Sequence, residues 1–495
     1  MREPAPIVNL DEVRIDPAWA LRIPVSLATR RQVLPLAAID DCVYVACADA
    51  GDPAAFEAVR RYTGRAPRAV VVERDKLQRA IARVYGDDRK TSAPSLPRTE
   101  GAAWSPDDAV ALADELLLAA VLRQASDIHV DPERETVRIR LRVDGVLEEY
   151  RRIPLAMHPA LCSRIKVMAN MDIAERRAPQ DGAFTYRFGA AGAEQAMDIR
   201  VASLPVKHGE RLTLRLLAAH DRDLSLDRLG LSAGDMAIVE GVLAQPHGLV
   251  LLTGPTGSGK TTTLYATIRR LQARMPANIL TVEDPVEHEI PGVGQVEVDS
   301  ADKVNFRKAL RSLLRHDPDI VMIGEIRDPD SLDIAIKASL TGHLVLSTLH
   351  TNNAPSVVTR LADMGVPLHL IAATLRLSVA QRLVRRLCPR CREPYAIGPA
   401  EGAAIGNEAW AGRTAFRPRG CLYCAGRGFV GRIGLFECLA PDEEIGGAIA
   451  RGCTESELVA MLRRKGARSL MADAAEKVFE GVCTIAEVLE VATAY

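Results

Sequence analysis

An α/β chain of several domains, with a parallel α/β core in its second half, is the fold class the sequence predicts. Three observations lead there. Between residues 240 and 385, short apolar runs alternate with helix-length segments, the pattern of parallel strands joined by crossover helices. Upstream, at 137–143, apolar and polar residues alternate one by one, as in a half-buried antiparallel strand. The chain has 495 residues, of which 48% are hydrophobic and 26% charged. That is too long for one ordinary core and apolar enough to fill several, so roughly two to four domains are expected.

Composition narrows the functional classes. With 63 Lys and Arg against 64 Asp and Glu, the net charge of −1 gives no global electrostatic reason to expect a nucleic-acid partner. The opening MREPAPIVNLDEV carries acids and prolines where a signal peptide needs a basic start and an apolar run, so export by that route is not expected. No stretch approaches the roughly 18 uninterrupted apolar residues of a membrane span, and the run at 116–122 follows Asp114 and Glu115. Any membrane association is therefore expected to go through a partner. Of ten cysteines, four form two CxxC pairs and six are scattered, which suits a reducing compartment.

Taken in order, residues 1–86 mix apolar runs at 43–46 and 69–72 with a helix-like stretch at 53–62, and read as a small α/β domain. Residues 87–106, rich in charge, Ser, Thr, Pro and Gly, read as a flexible linker. A helix follows, with Ser105 as N-cap, Pro106 at the first helical position, and Asp107 and Asp108 at the positive end of its dipole. Val137, Ile139, Leu141 and Val143 alternate with Arg138, Arg140 and Arg142, and Asp144-Gly145 predicts a tight hairpin turn. A second alternating pair lies at 197–201 and 212–216, so 107–220 reads as a sheet-and-helix domain. The parallel core spans 221–387, with strands expected at 249–253, 279–282, 320–324 and 344–349. Each is followed at once by polar or glycine residues, and ligands in such sheets bind beyond the carboxyl ends of the strands. A cysteine-bearing subdomain at 388–440 and a helical region at 441–495 complete the chain.

The strongest chemical motif is GPTGSGKT, comprising Gly254, Pro255, Thr256, Gly257, Ser258, Gly259, Lys260 and Thr261, with Thr262 next on the helix. An apolar strand precedes it and a helix follows, the context a phosphate-binding loop requires. Glycines let backbone N–H groups turn toward phosphates, Lys260 places a charge on the β and γ oxygens of ATP, and Thr261 offers its hydroxyl to Mg²⁺. GEIRD ends the third strand with Glu325 as the acid at its tip and Gly324 where an Asp is usual. Glu325 either orients a water or pairs with a neighbour such as Arg327. TVEDPVE gathers Glu283, Asp284 and Glu287, which either organise Mg²⁺ and water or form a solvated turn. His343 precedes the fourth strand and His350 follows it; His350 is placed to sense a γ-phosphate, or is structural. Arg200 and Arg215 lie on the polar faces of the alternating strands, either solvated or reaching a nucleotide as arginine fingers. Cys388, Cys391, Cys421 and Cys424 form CxxC…CxxC with 29 residues between the pairs, a closed tetrathiolate set that favours structural Zn²⁺ over redox chemistry. Flanking Arg385, Arg386, Arg390, Arg392, Arg419 and Arg427 are expected to help stabilise thiolate charge.

Together these residues resemble the type II secretion and type IV pilus assembly ATPases, the GspE/PulE/PilB family. GPTGSGKTTTLY resembles its Walker A, TVEDPVE its Asp box, DPDIVMIGEIRD its atypical Walker B, TGHLVLSTLHTN its His box, and the CxxC pairs its metal-binding subdomain. SDIHV at 126–130, RAPQDG at 177–182, GFVGRIGLFE and the tail TIAEVLEV extend the likeness. The resemblance implies a RecA-like P-loop NTPase core preceded by α/β (PAS-like) domains. It implies Lys260, Thr261, Glu283, Glu325 and His350 as nucleotide-site residues, and Arg200 and Arg215 as arginines reaching the nucleotide from the preceding domain. Such arginines are expected to lack a local acid partner. It further implies a homo-hexamer on the cytoplasmic face of the bacterial inner membrane, with the first domain docking on a GspL-like platform protein. The single small domain before the linker looks more like the secretion ATPase than the pilus extension ATPase.

Overall fold

The computed structural model describes residues 8–49, 52–85, 106–189, 195–217, 225–298 and 306–492. The expected linker lies outside these except for Pro106, and so does the expected N-cap Ser105. The chain divides into two compact units. One is Met1–Ala219 with Leu387–Glu393 and Pro418–Val430; the other is His220–Arg386 with Pro394–Arg417 and Gly431–Tyr495.

The first unit begins with three strands, β1 (Val33–Ile39), β2 (Cys42–Cys47) and β3 (Ala66–Val71), β2 being antiparallel to β1 and parallel to β3. The crossover between β2 and β3 is the helix Pro53–Thr63, started by Asp52, whose Oδ1 accepts from the N–H groups of Ala54 and Ala55. Leu34, Val43, Val45, Val59, Val70 and Leu77 fill the core, and Leu422 from the second CxxC loop joins it.

Six strands follow: β4 (Ala125–Pro132), β5 (Thr136–Val143), β6 (Val146–Pro154), β7 (Gln180–Phe188), β8 (Gln195–Val206) and β9 (Gly209–Leu217). They form one antiparallel sheet in the order β6-β5-β4-β9-β8-β7. Every second residue of β5, from Val137 to Val143, is buried. Each such aliphatic side chain contributes about 1.5–3 kcal/mol when fully buried. These residues pack with the helices Pro106–Arg123 and His158–Met168, leaving Arg138, Arg140 and Arg142 on the wetter face. Asp144 and Gly145 both take positive φ in the β5–β6 turn, as a two-residue hairpin requires. In RAPQDG, a Cβ at Gly182 would stand 2.4 Å from the Ala169 carbonyl oxygen, so this close approach of β7 admits only glycine.

The second unit is built on β10 (Gly248–Thr253), β11 (Ile279–Glu283), β12 (Gly294–Glu297), β13 (Ile320–Ile323), β14 (Leu344–Leu349), β15 (Leu375–Leu387) and, after the short pair β16 (Glu393–Ala396) and β17 (Thr414–Arg417), β18 (Phe429–Leu439). The sheet order is β12-β11-β13-β14-β10-β15-β18. All four strands expected from the apolar runs are present, and β11-β13-β14-β10 run parallel. Both faces are covered. Leu249, Leu251, Val321, Ile323 and Val345 enter one core, while Val250, Leu252, Met322, Leu344 and Leu346 enter the other, which is why these strands read as continuous apolar runs. The third-strand tip leads into the helix Pro329–Leu340, capped as expected by Asp328, whose Oδ1 accepts from Ser331 N at 2.8 Å. The C-terminal region is helical, with Glu443–Ala450, Glu455–Arg464, Leu470–Phe479 and Ile485–Ala492. Among the described residues no helix is long and apolar enough to cross a membrane.

Candidate active site

Because β11, β13, β14 and β10 are parallel neighbours, their carboxyl ends share one edge of the sheet. The phosphate-binding loop leaves β10 at that edge and ends at Gly259, which takes a left-handed conformation before the helix Lys260–Arg274. A Cβ at Gly254 would lie 2.5 Å from Gln381 O and 2.7 Å from Ser258 Oγ, so the loop closes over β15 only with glycine there. Ser258 Oγ is buried with no hydrogen-bond partner among the described residues. Lys260 Nζ donates to the carbonyls of Gly254 at 2.7 Å and Pro255 at 3.1 Å. Burial pushes the pKa of this ammonium down to about 8; Glu325 pulls it back up and Arg382 adds to the lowering. A tight glycine cradle, an orphaned hydroxyl and a desolvated ammonium that favours gaining an anion fit a bound phosphate chain.

Glu283 closes β11. It is 3% exposed, and its Oε1 accepts from Thr281 Oγ1 at 2.6 Å and Gln295 Nε2 at 3.0 Å. Its Oε2 accepts from Tyr265 Oη on the phosphate-loop helix. Glu325, just past β13, meets both neighbours that bear on its reading: Arg327 Nε at 3.1 Å and His350 Nε2 at 3.0 Å. Arg327 also pairs with Asp284 at 3.2 Å, so the tips of β11, β13 and β14 form one charged cluster. His350 thus contacts Glu325. His343, by contrast, stands 3.0 Å from the Ala338 carbonyl and serves the preceding turn. The segment after His350 is tied to the end of β10, since Thr253 Oγ1 accepts from Thr351 N at 2.7 Å.

Several neighbours were not among the residues singled out from sequence. Arg382 and Gln381 sit in β15, a strand whose repeated arginines hid its buried character. Arg382 donates to the Gln381 and Asn352 carbonyls, and Gln381 accepts from Thr263. Their one sequence signal is the apolar alternation of LRLSVA before them.

In the antiparallel sheet, Arg215 corrects the expectation that these arginines lack a local acid partner. Its Nε donates to Asp127 Oδ1 at 3.1 Å. Asp127, from SDIHV, is buried and stands between Arg215 of β9 and Arg142 of β5, each its cross-strand partner. Arg200 is directly opposite Arg215 on β8. Like charges opposed across two strands repel, and the buried Asp127 carboxylate offsets this.

The four cysteines converge. Cys388–Cys421 and Cys391–Cys424 are each 3.8 Å between sulfurs and Cys421–Cys424 is 3.7 Å, all four lying within 4.8 Å of one another. Thiolates placed tetrahedrally at about 2.3 Å from zinc stand ~3.8 Å apart, so the set fits that ion. The N–H groups of Cys421 and Gly428 donate to Cys424 Sγ at 3.1 and 3.2 Å. Of the six flanking arginines, four pair with carboxylates: Arg390 with Glu12, Arg419 with Glu393, Arg427 with Glu148 and Arg385 with Glu487.

The family profile described as Type II/IV secretion system protein matches residues 107–490, and the MshEN domain profile matches residues 4–91. Type II secretion system protein E of Pseudomonas aeruginosa is 40% identical, with 97% of this chain and 98% of that protein aligned. Type IV pilus assembly ATPase PilB of Myxococcus xanthus is 37% identical over 98% of this chain and 88% of its own. Among solved structures, the ATPase DotB of Legionella pneumophila shares the fold with a TM-score of 0.57 at 23% identity, covering 80% of this chain and 98% of its own. The pilus retraction motor PilT with bound ADP gives 0.52 at 24%, covering 76% and 96%.

Proposed function

The chain belongs to the type II/IV secretion system protein family and is a secretion ATPase, and we propose that it is the cytoplasmic motor of a bacterial type II secretion system, powering pseudopilus assembly and protein export across the outer membrane. The observation that carries this reading is the gathering of Lys260 in its glycine cradle with Glu283, Glu325 and His350 at one edge of a parallel sheet.

In this reading the backbone N–H groups of residues 256–262 and the Lys260 ammonium hold the phosphates of ATP, and Thr261 would hold Mg²⁺, which would supply positive charge against that of the phosphates. Glu325 orients the attacking water. His350, bonded to Glu325, keeps that carboxylate aimed and reports on the phosphate beyond it. Glu283 organises water around the metal site. Arg200 and Arg215 supply the positive charge that transferring a phosphoryl group demands, as fingers completing the site in a homo-hexamer. The four-cysteine site holds structural Zn²⁺, whose binding contributes folding energy to a segment of little apolar core. Residues 1–86 dock on a GspL-like platform protein, keeping the protein peripheral on the cytoplasmic face of the inner membrane. The full-length alignment with the Pseudomonas protein E favours this over the type IV pilus extension ATPase.

The test pairs two substitutions in a strain deleted for the chain. Lys260→Ala is expected to lose nucleotide binding. Glu325→Gln is expected to keep it while phosphate release drops by about 10²–10³, and neither variant should restore export of periplasmic cargo. Wild-type phosphate release from Glu325→Gln would remove that residue from the mechanism. A deletion that abolishes surface pili and leaves export intact would select the pilus motor.

A further inference from the structure

Tyr265 has no part in the reading above, yet it makes a fully buried polar contact at the sheet edge. It lies on the helix that starts at Lys260, one turn beyond Thr261, and is 1% exposed. Its Oη donates to Glu283 Oε2 and accepts from Glu287 N at 3.2 Å. Its ring meets His288 edge-on, with centroids 4.4 Å apart. Gln295 secures the other side, donating to Glu283 Oε1 and accepting from Ile290 N at 2.6 Å. A buried carboxylate tolerates few arrangements, because an oxygen left without a donor is strongly penalised. The direction of the Glu283 side chain is therefore set by Tyr265 on one oxygen and by Thr281 and Gln295 on the other.

We propose that Tyr265 is a positioning residue for Glu283, coupling that carboxylate to the helix that carries the phosphate-binding lysine. The inference rests on the reading of Glu283 as a nucleotide-site acid. A change in the phosphate loop moves the base of the Lys260 helix, and through Tyr265 it moves both the Glu283 carboxylate and the backbone of the loop at 287–288. Tyr265 touches neither the phosphates nor the metal in this account, so its loss acts on turnover and spares nucleotide binding.

The experiment is a double-mutant cycle on the full-length protein with Tyr265→Phe, Glu283→Gln and the pair, measuring kcat and KM for ATP hydrolysis, affinity for ADP and the thermal midpoint. Tyr265→Phe is expected to lower kcat by roughly tenfold, the worth of one hydrogen bond to a charged group, with KM and ADP affinity unchanged. In the Glu283→Gln background it is expected to cost nothing further, since the two residues act as one unit. Wild-type kcat in Tyr265→Phe, or a loss that adds fully to that of Glu283→Gln and comes with a higher KM and a lower thermal midpoint, overturns the inference in favour of simple packing. Full activity in Glu283→Gln alone instead overturns the reading of Glu283, a result separable from the first two. Should Tyr265→Phe fail to accumulate, 3,5-difluorotyrosine at position 265 keeps the shape and changes the donor; an unchanged kcat there also overturns the proposal.

Discussion

The two sheets that carry the charged residues of the proposed site handle charge in opposite ways. In the antiparallel sheet of the first unit, one face is core and the other is wet, so Arg215 can be 63% exposed while its partner Asp127 is nearly covered. In the four parallel strands β11, β13, β14 and β10 of the second unit both faces are core, and charge is confined to the strand ends. Glu283 is consequently buried in a closed network, and Glu325 is held between Arg327 and His350. The first arrangement makes an arginine available to something outside its own sheet; the second fixes acids against one another. A residue of the face should therefore act on the rate of a site completed by other groups, and a residue of the edge on the binding and turnover of its own nucleotide.

The largest effect that could break this contrast is at Arg215. Arg215→Ala is expected to reduce phosphate release on the order of 10³ or more, leaving ADP affinity intact. The wild-type specific activity should rise with protein concentration while the variant stays flat. Concentration-independent turnover surviving Arg215→Ala would return that arginine to an ordinary solvated role. Next in size is the pH dependence of nucleotide affinity. Since burial holds the Lys260 ammonium near a pKa of about 8, the nucleotide-free protein loses that charge as pH rises past it. Binding must then take up a proton. Affinity for ADP is expected to be flat below about pH 8 and to weaken up to about tenfold per unit above it. Titration calorimetry from pH 6.5 to 9.5 gives the answer. The smallest effect sharpens the role of the acid: Asp127→Asn keeps the shape and removes the counter-charge, leaving Arg200 and Arg215 opposed without it. A few-fold change in kcat and a thermal midpoint lower by a few degrees are expected. A variant that loses stability with no change in kcat would show that Asp127 serves the sheet alone.

Much of this was written in local sequence. The four apolar runs became β10, β11, β13 and β14, Asp144-Gly145 became the hairpin turn, and Asp328-Pro329 opened the helix after β13. GPTGSGKT formed the glycine cradle, and the two CxxC pairs brought four sulfurs together. These features were readable because each depends on residues close in the chain: the burial period of a strand, the φ a turn demands, the donors a helix end lacks, the spacing that lets two sulfurs face one ion. β15 escaped because its arginines disguise a strand whose burial comes from being sandwiched in the sheet, beside β10.

What the tertiary structure alone decided is which charges meet. Tyr265 and Glu283 are 18 positions apart, Glu325 and His350 are 25 apart, and Asp127 and Arg215 are 88 apart. No local periodicity encodes those pairs. The sequence by itself determined the strands, the phosphate loop, the thiolate set and the list of acids and arginines from which a site can be made. Parallel order at one edge and antiparallel register on one face selected the partners, because ion pairs and buried hydrogen bonds act over a few ångströms in space.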